Sequence, residues 1–183
     1  MLRGEKVVLR PLEREDLRDV WELANDIEVE ARSSNRAPRP SSLAEWESWF
    51  DRRESDPQGD RITFVVEAEG RFVGQCGLHA IDEYARRADL GIALRRDEWG
   101  KGYGQDACRV LVEYAFRHVN LRKVCLHVLA DDERAVGAYR KAGFVEEGRL
   151  REHDWHDGRY RDVLLMAVLR SVPEGSEHGS TAG

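Results

Sequence analysis

The sequence predicts an α/β (α+β) protein, a mixed sheet with helices packed on its faces. Between residues 62 and 94, three short apolar runs rich in β-branched residues follow one another with turn residues between them, as in an antiparallel meander. From residue 105 to 169, helical and strand periodicities alternate instead, as they do when helices cross over a sheet. Size agrees with this: 183 residues with 41% hydrophobic content suffice for one substantial core and are short for two.

Lys6 to Leu12 alternates and suits an opening strand, limited by Pro11. Glu13 to Ile27 places Leu17, Val20, Trp21, Ala24 and Ile27 at helical spacing, with acids in the first turn where they complement the dipole. Ala31 to Ser42 contains Pro38 and Pro40 and reads as a loop. Ser42 caps a second helix from Leu43, with Glu45 as the third-position acid of a capping box. Trp46, Trp49 and Phe50 lie near one face of that helix, which reads as core. Asp56 to Asp60 forms a turn. Strands follow at Ile62 to Ala68, Phe72 to Leu78 and Arg87 to Leu94, the first two joined by a tight connection at Glu69-Gly70-Arg71. The remaining order is helix Gln105 to His118, strand Lys123 to Leu129, helix Asp132 to Ala142, strand Phe144 to Glu152, turn Asp157-Gly158 and strand Arg161 to Leu169. Residues 171–183 lack apolar periodicity and read as a disordered tail, leaving residues 1–170 as the single domain.

A net charge of −6 disfavours a nucleic-acid role built on an overall positive field, and leaves cationic substrates acceptable. No apolar run is long enough to span a bilayer, and the first residues lack the apolar segment of a signal peptide. A cytoplasmic protein without membrane or nucleic-acid partners is therefore expected. Cys76, Cys108 and Cys125 sit in apolar segments without Cys-x-x-Cys spacing, as buried thiols do. His153 and His156 form the one close histidine pair and read as exposed polar positions, so no metal is expected.

Gly100-Lys101-Gly102-Tyr103-Gly104 lies between a strand and a helix. Alternate glycines let a loop present successive N–H groups to an anion, and a helix start adds its positive dipole end. Downstream, Asp132-Glu133-Arg134-Ala135-Val136-Gly137-Ala138-Tyr139-Arg140-Lys141-Ala142-Gly143-Phe144 is a short helix stopped by glycine. No Gly-x-x-x-x-Gly-Lys-Ser/Thr sequence is present, which speaks against a nucleotide-phosphate regulator.

Together the two segments resemble the acetyl-CoA-binding core of the GNAT acetyltransferase superfamily, with Gly102 and Gly104 as the glycines of its first motif and Ala135, Tyr139, Gly143 and Phe144 matching its second. Leu9-Arg10-Pro11-Leu12 and Asp157-Gly158-Arg159-Tyr160-Arg161-Asp162 look like the branch containing ribosomal-protein N-terminal and spermidine acetyltransferases. The resemblance implies the GNAT fold, a mixed, mostly antiparallel sheet of about seven strands with helices on both faces. Its fourth and fifth strands run parallel and splay to admit the cosubstrate. It also implies N-acetyltransfer from acetyl-CoA to a primary amine of a small molecule, polyamine or peptide end, by direct attack in a ternary complex. A non-catalytic CoA-binding sensor or interaction module is the alternative. Dimers are common among similar enzymes.

On this resemblance the backbone of Ile92, Ala93 and Leu94 pairs with the pantetheine arm, and the loop Gly100, Lys101, Gly102, Tyr103, Gly104 and Gln105 holds the diphosphate. Asp132, Ala135 and Tyr139 line the remainder. Arg95, Arg96 and Lys101 are candidates to add charge. Tyr139 acts as proton donor to the departing thiolate, a task its phenol suits. Asp89 is the candidate general base, with His79 as its rival; Glu28 and Glu30 are candidates to bind a cationic substrate. Two positions depart from the pattern: Asp132 replaces the usual Asn and Trp99 replaces Gln or Arg. Asp132 still caps a helix, but puts a carboxylate where an amide normally serves the cofactor arm. The basic Arg36-Ala37-Pro38-Arg39-Pro40 replaces an acidic cluster of spermidine enzymes, which suits an acceptor carrying a carboxylate beside its amine.

Overall fold

A computed structural model describes residues 1–34, 37–55 and 61–171. The turn expected at 56–60, Arg36 of the proline segment and the tail from residue 172 lie outside the described residues. In chain order the elements are β1 (Leu2–Arg3), β2 (Val8–Arg10), a 3₁₀ turn at Arg14–Asp16, α1 (Leu17–Ala24), α2 (Ile27–Ser33), α3 (Leu43–Ser55), β3 (Ile62–Ala68), β4 (Arg71–Asp82), β5 (Arg87–Leu94), a second 3₁₀ turn at Arg96–Glu98, α4 (Tyr103–Arg117), β6 (Lys123–Leu129), α5 (Glu133–Lys141), β7 (Val145–His156) and β8 (Arg159–Leu169).

The strands form one sheet in the order β1-β2-β3-β4-β5-β6-β8-β7, in which β5–β6 is the parallel pair. Eight strands replace the seven expected. The addition, β1, is two residues long, too short for a periodicity to register; it pairs with β2 through Leu2↔Leu9 and Arg3↔Val8. Asp106 of α4 holds this reversal, its Oδ2 accepting the Lys6 N–H at 2.7 Å and the Val7 N–H at 3.1 Å. Both tight hairpins match the sequence: Glu69 and Gly70 have φ of 52° and 71°, Asp157 and Gly158 of 52° and 78°, the double positive φ of a type I′ turn.

The expected splay is present at β5 and β6. Their register runs only from Arg87↔Lys123 to Asp89↔Cys125. Beyond that rung β5 follows β4 as far as Gly74↔Leu94, while β6 follows β8 as far as Leu129↔Val163. Each strand keeps its antiparallel partner, so the parallel edges separate and the open edge of β5 lacks a neighbour.

Helices cover both faces. On one, Ala107, Leu111 and Ala115 of α4 pack with Leu78, Leu90, Val124, Leu126 and Met166 in the larger core. On the other, Leu17 and Val20 of α1 and Phe50 of α3 enclose Val65 and Leu12, with Trp46 and Trp49 against them at a 5.4 Å edge-on ring separation. Each fully buried aliphatic side chain stabilises by about 1.5–3 kcal/mol relative to exposure. The capping box of α3 is formed, the Ser42 N–H donating to Glu45 at 2.6 Å and the Glu45 N–H to the Ser42 hydroxyl at 3.3 Å.

The single helix expected over Glu13 to Ile27 is divided. Asn25 turns its amide back onto the Trp21 carbonyl at 2.9 Å and the Ser41 carbonyl at 3.2 Å. Asp26 then caps a new helix, accepting the Glu28 N–H at 3.1 Å. The resulting α2 takes in Ala31, Arg32 and Ser33, residues expected in a loop. Among the described residues, no helix is long and apolar enough to cross a membrane.

Candidate active site

The glycine loop leads from the open end of β5 into α4. Gly100 and Gly102 have φ of 78° and 86°, left-handed values that glycine adopts without a Cβ penalty. Gly102 is the N-cap of α4, and the first bond across it runs from the Asp106 N–H to the Gly102 carbonyl at 3.1 Å. The N–H groups of Tyr103, Gly104 and Gln105 therefore have no intrahelical acceptor and point out of the positive end of the helix. A Cβ on Gly104 would lie 3.4 Å from Leu94 Cδ1, so this position packs the loop tightly against the end of β5.

The basic side chains expected to assist are occupied elsewhere. Lys101 pairs with buried Glu98 at 2.8 Å, Arg95 with Asp19 and Glu22, and Arg96 with Asp26 and Glu28. The Tyr103 ring is buried and its hydroxyl lies 3.4 Å from Glu69. What the loop offers an anion is thus mainly backbone. Two cations that sequence reading did not single out, Arg32 and Arg134, line the slot between β5 and β6; the Arg134 guanidinium stands 4.1 Å over the Trp99 ring. Trp99 itself donates its indole N–H to the Leu94 carbonyl at 2.8 Å, tying the loop to the strand.

Between the separated strands lies a narrow slot of about 80 Å³. Ile92, Ala93 and Leu94 form one wall, Val128 and Leu129 the other, and Ala135 and Tyr139 of α5 the floor. Asp132 caps α5 by accepting the Ala135 N–H at 3.0 Å, as expected. The same carboxylate, almost fully buried, also pairs with Arg32 of α2 at 3.1 Å and with Arg134 at 3.4 Å. The Asn-to-Asp departure is thus matched by an arginine reaching over from the opposite side of the slot.

Tyr139 lines the slot half-buried, its ring edge-on to Phe144 at 6.0 Å. Among the described residues no hydrogen bond engages its hydroxyl, which leaves it open to a partner in the slot. Burial pushes its phenol above the ordinary value, with Cys108 and Asp132 adding in the same direction. The proton is therefore retained through neutral and alkaline pH. Cys76 and Cys108 are buried thiols as expected; burial pushes Cys108 up to about 12, so it stays protonated.

Two wider clefts open on the α2 side. The inner one, about 860 Å³, is lined by Asp89, His79, Gly91 and Gln75 of the sheet and by Glu30, Glu45, Trp46 and Trp49 of the helices, with Arg61 at its rim. Asp89 stands opposite His79 on β4 and Cys125 on β6, at the last rung before the splay. Both candidate bases thus face the same cleft. Glu30 also faces it, whereas Glu28 is matched to Arg96 at 2.7 Å and to Arg32 at 3.9 Å. The outer cleft, about 1380 Å³, separates α2, Ala37 and Pro38 from the β7–β8 hairpin, including His153, Asp154, Trp155 and Tyr160. His156, expected to be exposed, is 9% exposed where this cleft meets the hairpin end. Among the described residues no three His, Cys, Asp or Glu side chains are grouped to hold a metal ion.

Of the residues singled out in the sequence, Ile92–Leu94, Gly104, Asp132, Ala135 and Tyr139 line the slot, the rest of the glycine loop leads from its β5 wall into α4, and Asp89 lines the inner cleft. Sequence reading missed Arg32, Ser33, His127 and Arg134. Of these only Arg134, inside the second motif, carried a local signal. A family model described as an acetyltransferase (GNAT) domain matches residues 6–145. The spermidine N(1)-acetyltransferase of Escherichia coli is 35% identical over 170 residues, 93% of this chain and 89% of that protein. The Vibrio cholerae protein of the same name is 33% identical over 169 residues, 92% and 95% of the respective chains. A crystal structure of spermidine N-acetyltransferase from Vibrio cholerae, in complex with CoA and spermine, matches with a TM-score of 0.82 at 32% identity, over 91% of this chain and 96% of that one.

Proposed function

The chain belongs to the acetyltransferase (GNAT) family, and from that membership we propose how its site works: an acetyl-CoA-dependent N-acetyltransferase whose acceptor is a primary amine of the polyamine type. The observation that carries the reading is the splay of β5 from β6, which ends at the free N–H groups of α4 with Tyr139 on the slot between them. Acetyl-CoA brings the acyl group already activated as a thioester. The residues present fit it. The open edge of Ile92–Leu94 offers strand-like pairing to an extended arm, and the Gly100–Gln105 backbone offers donors for a diphosphate. Arg134 adds a positive charge beside them.

The inner cleft supports a cationic acceptor, since Glu30, Glu45 and Asp89 outnumber Arg61 among its charged groups. Asp89, the candidate base read from the sequence, lines this cleft where the amine must approach the slot, and its carboxylate attracts the ammonium. Tyr139 keeps a proton on its hydroxyl and gives it to the departing sulfur. Acceptors with a carboxylate beside the amine remain an outcome of the test, because Ala37 and Pro38 of the basic segment border the outer cleft. Residues 1–170 form the working unit, placed in the cytoplasm, and light scattering decides whether two copies associate.

The deciding experiment titrates coenzyme A calorimetrically and then screens acetyl-CoA consumption over spermidine, spermine, amino acids and short peptides. Micromolar coenzyme A binding with polyamine turnover is expected. Absence of coenzyme A heat would overturn the whole assignment, and turnover confined to amino acids or peptides would overturn the acceptor class.

A further inference from the structure

Three clefts meet in this molecule, and two side chains, Ser33 at the end of α2 and His127 on β6, line all three. His127 lies two residues past Cys125, the last β6 residue paired with β5, and the side-chain alternation of a strand puts the two on one sheet face. Its neighbours Leu126 and Val128 are buried, Leu126 in the core beneath α4, whereas the imidazole is exposed. Among the described residues no hydrogen bond or ion pair engages it. A histidine at an exposed, unsatisfied position between an acceptor-sized cleft, a slot shared with Tyr139 and a third cleft open to solvent is placed to move a proton.

We propose that His127 is a catalytic proton acceptor of the acetyl transfer, taking the proton from the acceptor ammonium in the inner cleft and releasing it to water in the outer cleft. The inference rests on the acetyltransferase reading and deepens it. The N–H bond of the ammonium breaks, its electron pair stays on nitrogen, and the proton moves to the imidazole. The neutral amine bonds to the acetyl carbon and the C–S bond breaks with its pair on sulfur. Tyr139 protonates the sulfur and recovers a proton from the nitrogen as the amide forms. The imidazolium loses its proton to solvent, so one proton is released per turnover. Asp89 at the adjacent rung then acts electrostatically, favouring both the bound ammonium and the imidazolium.

The charged and titratable groups that share these clefts with His127 are Asp89 and His79 of the sheet with Arg61 just before β3, Glu28, Glu30 and Arg32 of α2 with Glu22 and Asp26 before it, Glu45 of α3, Arg96 after β5, Asp132, Arg134 and Tyr139 around α5, and His153, Asp154, His156, Asp157 and Tyr160 of the β7–β8 hairpin. The test therefore follows His127 individually. In the wild-type protein the imidazole ¹H–¹³C resonance absent from His127→Gln is monitored between pH 5 and 8.5, free and saturated with spermidine. It is expected to titrate and to move when spermidine binds. In parallel, His127→Ala and His127→Gln should lose about 10²–10³ in kcat. Coenzyme A affinity should stay within about twofold, the acid limb of kcat/KM should flatten, and added imidazole should partly restore His127→Ala. A resonance that neither titrates nor responds to spermidine would overturn the proposal, as would variants retaining kcat within about twofold with the acid limb intact. Failure of the underlying reading shows differently, as wild-type protein that gives no coenzyme A heat or acetylates no amine.

Discussion

Replacing Asp132 by asparagine probes the ion pair that spans the slot. The carboxylate is nearly buried and lies 3.1 Å from Arg32, whose side chain is 34% exposed. At that distance and an effective dielectric constant of about 20, unlike charges attract by about 5 kcal/mol before desolvation. Burying the carboxylate and partial solvation of the guanidinium offset most of that, leaving about 1–2 kcal/mol net. Asparagine caps helices as well as aspartate, so the Ala135 N–H keeps its acceptor and the cap contributes almost nothing to the difference. Asp132→Asn should thus destabilise by about 1–2 kcal/mol, lowering Tm by about 2–8 °C in a chain of this size. A double-mutant cycle with Arg32→Ala, read by urea unfolding, should return a coupling of about 1 kcal/mol or more. Coenzyme A should bind about 3–10-fold tighter to Asp132→Asn, because a negative charge leaves the slot and the bridge over it is lost. A coupling below about 0.3 kcal/mol, the level of independent sites, would refute the bridge. Unchanged or weaker coenzyme A binding would refute its position across the arm's path.

Tyr139→Phe should lower kcat by about 10²–10³ with coenzyme A affinity unchanged, and single-turnover assays locate the loss in chemistry. Because burial holds the phenol above its ordinary value, its protonated form persists, and wild-type kcat should show no alkaline fall up to about pH 10; a limb centred near 8 would contradict the donor role. Gly102→Ala places a Cβ at φ 86° and 3.0 Å from the Lys6 ammonium, so a loss of about 1–2 kcal/mol in stability is expected. It should come with weaker coenzyme A binding, measured by calorimetry. Burial would raise Asp106, yet Arg109 and the Lys6 and Val7 N–H groups outweigh it and hold the carboxyl below the usual range. Its folded pKa is depressed, so its stabilisation is present above about pH 4 and is lost as pH falls through the folded value. Asp106→Ala should therefore cost about 1–3 kcal/mol at pH 7, with the difference from wild type shrinking toward pH 2 in denaturant titrations.

How far the sequence could be read depended on whether a feature was local. The two type I′ hairpins, the Ser42–Glu45 box and the Asp132 cap are settled within a few residues, and all were legible. The division of α1 from α2 was not, because Asn25 competes with the helix by bonding Ser41, sixteen positions away. β1 was missed because its two residues are held by Asp106 of α4, a partner no periodicity can announce. The ion pairs of Arg95 and Arg96 were out of reach for the same reason: in sequence they stand beside the glycine loop, whereas their partners Asp19 and Glu28 lie on α1 and α2.

The glycines and the capping aspartate determined a strand-loop-helix with open N–H groups at the start of α4 and a capped α5, because main-chain geometry and helix dipoles follow from residues close in sequence. Where the two parallel strands separate, which arginine meets Asp132, and that an imidazole stands at the meeting of three clefts were settled by folding alone. Those facts depend on β5 and β6 following β4 and β8 while parting from each other beyond Asp89↔Cys125, and on α2 docking against β5, contacts between segments far apart in the chain whose energies appear only once the sheet exists.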